Sequence, residues 1–233
     1  NLKMHTENKK DHGVLSLEYA EGRNTKKALR YRLWRRTHEV KNSIKKFLPN
    51  NPGSIIDLGT ADGKMLNDIN EIYPKCKCVG VEYDKELASL ATRLFPNLKI
   101  YQGDVQKLNQ YINDKFDVAI ATAVIEHVLE PQNFINEIKK ILNPNGILII
   151  TAPDPFWEFI ASKVGHLDDD QHHEVPNIKR IKELIHKSGM VAVHSKKFML
   201  SPIGMPGEFI IENFLRKLKL NFLMANQLVV AKK

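Results

Sequence analysis

Ile55-Ile56-Asp57-Leu58-Gly59-Thr60-Ala61-Asp62-Gly63 is an apolar strand that runs straight into a turn of small residues. A short, nearly continuous apolar run suits a strand buried on both faces, and Gly59, Ala61 and Gly63 let the chain leave it by a tight turn. Lys64 then opens a helical pattern. The two apolar runs that follow each lead to a carboxylate, Glu82 and Asp104.

The alternation continues outward. Strands are expected at Ser54–Leu58, Cys78–Glu82, Leu98–Gln102, Phe116–Thr122 and Ile147–Ala152. Between them lie helical patterns over Lys64–Ile72 and Lys85–Phe95, a short piece near Val105–Leu108, and Pro131–Leu142, which ends at the breaker Asn143-Pro144-Asn145-Gly146. Strand–helix alternation of this kind predicts a parallel sheet with helices on both faces. The later part differs. A helix over Ile178–Lys187 stops at Gly189, a strand covers Val191–Met199, an insertion carries a helix near Glu208–Leu218, and a last strand runs Gln227–Ala231. After such an insertion the last strand is expected antiparallel, at the sheet edge. Upstream, Thr25–Leu48 reads as an amphipathic helix or two, with Leu29, Leu33, Val40, Ile44 and Phe47 at helical spacing. The expected organisation is a basic helical N-terminal extension over residues 1–50, packing on a domain over 51–233 with a helical insertion near 201–224.

At 233 residues the chain suits one ordinary domain, and 42% hydrophobic with 27% charged residues is the composition of a globular protein rather than a disordered one. No apolar run approaches a membrane span, and the polar opening Asn1–Lys10 does not read as a signal peptide. Cys76 and Cys78 fall on one expected strand at period two, poorly placed for a disulfide, so a cytoplasmic location is the simpler expectation. The net charge of +8 belongs to the ends: residues 1–50 hold thirteen basic against five acidic residues, 51–195 fifteen against twenty, and 196–233 seven against two. An anionic partner met by the ends and a solvated helix face are both readings of this pattern.

In an open parallel sheet ligands bind beyond the carboxyl ends of the strands, where the small turn Gly59–Gly63 and Glu82 are expected. Glu82 follows Gly63 by nineteen residues, close to the roughly twenty of nucleoside-binding units, and an acid there can accept both ribose hydroxyls. A dinucleotide site needs Gly-x-Gly-x-x-Gly for its pyrophosphate. Here Gly59-x-Ala61-x-Gly63 is followed by Lys64, without that third glycine. Gln102-Gly103-Asp104-Val105 offers instead a carboxylate for an exocyclic adenine amine and a backbone N–H for a ring nitrogen. The set describes an adenosine that carries something other than phosphates.

With Ile56-Asp57-Leu58-Gly59-Thr60-Ala61-Asp62-Gly63, Val79-Gly80-Val81-Glu82-Tyr83-Asp84, Gly103-Asp104-Val105, Phe116-Asp117-Val118-Ala119-Ile120, Val124-Ile125-Glu126-His127-Val128 and Pro144-Asn145-Gly146-Ile147-Leu148, the chain resembles the class I S-adenosylmethionine-dependent methyltransferases, small-molecule branch. The resemblance spans Ser54–Ala152 well and the rest in general layout; Ala61 stands where the family usually has Gly. It implies an α/β, Rossmann-like, seven-stranded, mostly parallel sheet with the last strand antiparallel. It also implies S-adenosylmethionine as cofactor and S-adenosylhomocysteine as product. By position, Gly59, Ala61 and Gly63 would pass along the methionine moiety, Glu82 would hold the ribose, and Tyr83 would lie on the adenine. Asp104 and Val105 would read the adenine edge, and Ala121 and Thr122 would offer backbone atoms to the methionine amine. Asp57, Thr60 and Gly103 complete the cofactor set.

The chemistry is a displacement at an electrophilic methyl group, aided by alignment and by a base for a protonated acceptor. His172 and His173, within Gly165–Glu174, are the candidate bases, with a neighbouring carboxylate to orient the ring. A polar loop capping the next helix is the bland reading of that segment. A metal role would resemble small-RNA terminal-ribose methyltransferases, which carry Glu-x-x-Glu-His here. Ala123 replaces the first carboxylate, so no metal is assigned. The expected acceptor is a small metabolite, lipid or sugar-like molecule methylated at O or N, in a cavity lined by Trp157, Phe159, Met205 and Phe209. The alternatives are an RNA methyltransferase, motivated by Tyr31 and Trp34 among Arg32, Arg35 and Arg36, and a non-catalytic module that keeps the fold.

Overall fold

The computed structural model describes residues 20, 22, 23, 25–163 and 175–233. Seven strands form one sheet in the order β3-β2-β1-β4-β5-β7-β6. In chain order the elements are helix α1 (Lys27–Phe47), β1 (Ser54–Leu58), α2 (Lys64–Asn70), β2 (Lys77–Glu82), α3 (Lys85–Leu94) and β3 (Lys99–Gln102). After a 3-10 turn (Val105–Gln110) come β4 (Phe116–Thr122), a second 3-10 turn (Ile125–His127), α4 (Pro131–Ile141), β5 (Leu142–Pro153) and α5 (Pro155–Lys163). The chain continues through α6 (Ile178–Lys187), β6 (Val191–Phe198), α7 (Glu208–Lys217), a third 3-10 turn (Asn221–Leu223) and β7 (Asn226–Lys232). Among the described residues no helix is long and apolar enough to cross a membrane.

The period-two alternation within strands builds two cores. Ile56 and Leu58 face one side of the sheet, where Phe134, Ile135 and Ile138 of α4 and Ile181, Leu184 and Ile185 of α6 cover them. Ile55, Val118, Ile120 and Ile149 face the other, against Leu33, Val40 and Ile44 of α1 and Met65, Leu66 and Ile69 of α2. Sequence signals set the helix ends: Asp84 and Asn177 cap α3 and α6 by accepting from Leu87 and Arg180 N–H, and Gly189 follows α6 at φ 74°.

Several expectations need correction. The last strand is antiparallel, but it does not lie at the edge. β7 is inserted between β5 and β6, pairing antiparallel with both, which leaves β6 outermost. Leu228, Val229, Val230 and Ala231 are all buried, as a strand covered on both faces must be. The breaker Asn143–Gly146 lies within β5 as a bulge: Phe116 pairs with Leu142, yet Val118 pairs with Ile147. Asn145 takes φ 65° there. β2 begins at Lys77, so Cys76 precedes it; both thiols are buried and free. Helix α5 was not anticipated. Asp154 starts it by accepting from Phe156 N–H at 3.2 Å, with Pro155 as first helical residue.

A few basic side chains of the two ends are drawn into ion pairs and hydrogen bonds, while Lys26, Lys27, Arg30, Lys45, Lys46, Lys217 and Lys219 stay exposed. Arg35 is fully buried, bonded to Glu39 and, at 2.7 Å, to Glu212, with its guanidinium over the rings of Phe198 and Phe209. Arg36 bonds Asn226, Lys196 pairs with Glu39, and Arg216 pairs with Glu212. Of the three arginines that motivated an RNA reading, Arg35 is buried and Arg36 is half-buried with a bond to Asn226.

Candidate active site

The register that aligns Leu58 with Val81 on one side and Ala121 on the other brings Gly59, Glu82 and Thr122 to one end of the sheet. The strand order reverses there, between β1 and β4, and open sheets of this kind bind ligands at that point.

Three of the five residues from Gly59 to Gly63 are left-handed: Gly59 at φ 73°, Ala61 at 52° and Gly63 at 77°. The Gly59 and Thr60 N–H groups donate to Val81 O at 2.8 and 3.0 Å, which folds the loop over β2. A Cβ on Gly59 would stand 2.6 Å from Val124 Cγ2, so a side chain is excluded. Ala61 adopts the left-handed region at a cost of about 1 kcal/mol. Its N–H is held by Glu82 Oε2 at 2.7 Å, and the other carboxylate oxygen accepts from Asp84 N–H at 3.0 Å. Glu82 is buried, which raises its pKa against the lowering effect of these N–H donors. Each oxygen keeps a lone pair for a further donor.

Asp57 lies beneath the same loop. Its Oδ2 accepts from the Thr60 hydroxyl at 2.9 Å, while Oδ1 is buried without a hydrogen-bond partner among the described residues. Burial pushes its pKa up to about 7; the Thr60 hydroxyl opposes this and the Glu82 charge adds to it. A buried, unpartnered carboxylate oxygen calls for a donor from elsewhere.

The wall beyond β3 is equally constrained. Gly103 N–H donates to Glu82 O at 2.9 Å, and a Cβ on Gly103 would come within 2.5 Å of the Tyr111 ring. The Tyr111 hydroxyl donates to Asp104 O at 2.8 Å. Asp104 Oδ1 accepts from Gln106 N–H at 2.9 Å, while Oδ2 stands 3.8 Å from the Lys107 ammonium. Val105 takes the first position of the 3-10 turn, whose N–H has no intrahelical acceptor. Tyr83 is exposed beside Glu82. Across the switch point Ala121 is buried and Thr122 half-buried, its hydroxyl 3.8 Å from Met65 Sδ. Ala123 then turns the chain at φ 54°, with its N–H on Thr151 O.

One pairing escaped the sequence reading. Arg23 donates to Asp62 Oδ1 at 2.7 Å, and Ala20 packs against Ala61, Leu87 and Leu90. Opposite charge was the only signal, 39 residues apart in the chain. His172 and His173 lie outside the described residues, as do the other residues of 164–174. Among the described residues no three His, Cys, Asp or Glu side chains converge as a metal site. Trp157, Phe159, Met205 and Phe209 were the expected lining of an acceptor cavity. The last three are exposed, and the Trp157 indole N–H donates to Phe222 O at 2.8 Å.

The donor set fits an adenosine with a cationic tail: two acids at neighbouring strand ends, a turn that admits close approach, and a buried acid lacking a donor.

The family model described as a methyltransferase domain matches residues 30–195. The malonyl-[acyl-carrier protein] O-methyltransferase of Halalkalibacterium halodurans is 25% identical over 51% of this chain and 48% of its own length. The trans-aconitate 2-methyltransferase of Deinococcus radiodurans is 23% identical over 47% and 42%. The chain thus spans less than half the length of these relatives. Among solved structures, the plantazolicin methyltransferase BpumL in complex with a pentazolic desmethylPZN analog and SAH superposes with a TM-score of 0.68. It is 15% identical, and the match covers 93% of this chain and 90% of that one.

Proposed function

We propose, on the premise that this chain belongs to the methyltransferase-domain family and is an S-adenosylmethionine-dependent methyltransferase, that the methyl group goes to an oxygen or nitrogen nucleophile. The acceptor we propose is a small metabolite, lipid or sugar-like molecule. The observation that carries the reading is Glu82: a buried carboxylate at the end of β2, fixed by two backbone N–H groups and still able to accept. The two O-methyltransferase and 2-methyltransferase relatives, both named for carboxylic-acid metabolites or carriers, support an acceptor of this class.

In this reading Glu82 accepts both ribose hydroxyls, and Tyr83 lies against the adenine. Asp104 Oδ2 and the Val105 N–H read the adenine edge, and Gly103 keeps that edge clear. Gly59, Ala61 and Gly63 form the floor beneath the methionine part. Asp57, held by Thr60, meets its ammonium group together with backbone atoms of Ala121 and Thr122. Bound S-adenosylmethionine supplies an electrophilic methyl on a sulfonium. The protein contributes alignment, worth several kcal/mol of barrier, and His172 or His173 removes the acceptor proton. Residues 1–50 and the insertion near 201–224 frame the acceptor side of a catalytic domain over 51–233.

Calorimetric titration with S-adenosylmethionine tests this assignment. Wild type should bind and Glu82→Ala should bind at least about tenfold more weakly, as loss of charge-assisted hydrogen bonds requires. Absence of binding, or equal affinity for the two proteins, would sink it.

A further inference from the structure

Helix α7 is built inside out. Its buried residues are acids, Glu208 and Glu212, and its most exposed large side chains include the apolar Ile210 and Phe214, beside exposed Asn213 and Lys217. Glu208 accepts from Leu200 and Ser201 N–H and from the Tyr31 hydroxyl; Glu212 accepts from Met199 N–H, Arg35 and Arg216. This network ties the acidic face to α1 and to the end of β6. The opposite face carries Ile210 and Phe214, with Leu218 following the helix at the same spacing, while Phe209 turns toward α1 with its ring 4.4 Å from the Arg35 guanidinium. Ile210 is 76% and Phe214 60% exposed, values unusual for side chains of this size.

The charge around that face selects its partner. Residues 196–233 hold seven basic residues and only two acids, and both acids are the buried pair. The outward surface of this segment is therefore apolar and basic, without a single carboxylate. Lys217 and Lys219 are exposed at its end and have no anionic partner among the described residues. The Trp157 bond to Phe222 O fastens α5 to the turn after α7. That helix adds exposed Phe156 and Phe159, the latter with the Lys163 ammonium 5.6 Å from its ring. A second copy of the chain would bring like charge against like. An interface of water and anionic lipid satisfies both features, taking aromatic and aliphatic side chains below the headgroups and lysines among them.

We propose that α7 is a membrane-surface docking helix that seats the protein on anionic lipid without crossing the bilayer. The proposal is independent of the cofactor assignment.

Co-sedimentation of the full chain with vesicles tests it, using phosphatidylcholine alone and phosphatidylcholine with about 30% phosphatidylglycerol. Wild type should pellet with the anionic vesicles and stay in solution with the neutral ones. Ile210→Ser with Phe214→Ser should weaken binding at least about tenfold, and Lys217→Gln and Lys219→Gln about fivefold each. All of these side chains are exposed, so the variants should retain wild-type melting and S-adenosylmethionine affinity. No pelleting with either vesicle, or pelleting unchanged in the Ile210/Phe214 variant, overturns the proposal. A wild-type dimer that the same variant converts to monomer also overturns it, in favour of a second copy as the occupant.

Discussion

Replacing Asp57 by Asn should stabilise the free protein at alkaline pH and change little near pH 4. Burial is the main reason that the Asp57 pKa stands at about 7 rather than the ordinary 3.8, and its Oδ1 lacks a partner among the described residues. A raised carboxyl pKa means that the folded chain holds this proton more tightly than the unfolded chain. The resulting penalty is absent below 3.8, grows as pH rises, and is complete above about 7. At about 1.36 kcal/mol per pKa unit, that gap amounts to up to roughly 4 kcal/mol at pH 8. Asn carries no charge to desolvate, and its amide oxygen can still accept from Thr60. For a chain of this length 1 kcal/mol moves the melting temperature by about 2–4 °C, so the variant should melt roughly 10 °C higher at pH 8. The measurement is thermal unfolding of both proteins by circular dichroism from pH 4 to pH 9, without cofactor. Other titrating groups are common to the two proteins, so the difference curve isolates Asp57. A difference that stays constant with pH would refute the reasoning. The same variant should bind S-adenosylmethionine more weakly, an exchange of stability for affinity expected where a site keeps an unpaired charge.

Gly103→Ala should cost about 1–3 kcal/mol of stability, because its Cβ must displace the Tyr111 ring 2.5 Å away. Chemical denaturation of the single variants and of the double variant with Tyr111→Leu should reveal coupling; strict additivity would count against the clash. Arg35→Met removes the cation between Glu39 and Glu212 and should destabilise by about 3–5 kcal/mol, read as a lower denaturation midpoint. Adding Glu212→Gln should recover part of that loss. Arg23→Ala releases Asp62 from its 2.7 Å partner and should weaken S-adenosylmethionine binding several-fold in calorimetry. An unchanged affinity would limit the pair to a surface contact.

The centre of the fold was legible because burial on both faces leaves little choice. Ser54–Leu58 and Phe116–Thr122 are apolar runs bounded by turn residues, and both strands have the expected bounds. The candidate cofactor residues were legible for a related reason: glycines and acids at strand ends stand out against apolar runs. The C-terminal third was harder. For α7 the sequence indicated only a helix near Glu208–Leu218, and which of its faces is buried is set by tertiary pairing, Glu212 with Arg35 above all. The position of β7 was encoded in four consecutive buried residues, Leu228–Ala231, but a short run cannot say which neighbours cover it. The Arg23–Asp62 pairing links residues 39 apart without any periodic signal, so only the folded chain reveals it.

The insertion of β7 between β5 and β6 has a consequence for how the protein is made. β6 is complete many residues before β7, yet β7 is its only neighbour in the sheet among the described residues. A ribosome therefore releases β5 and β6 with bare edges, which stay unpaired until Asn226–Lys232 emerges and fills the gap. Until then the nascent chain exposes two strands able to recruit foreign ones, and the final pairing spans a long stretch of sequence, a slow step. Chains cut before Asn226 should accumulate as aggregates and chaperone clients, whereas a chain carried through Lys232 can close this sheet.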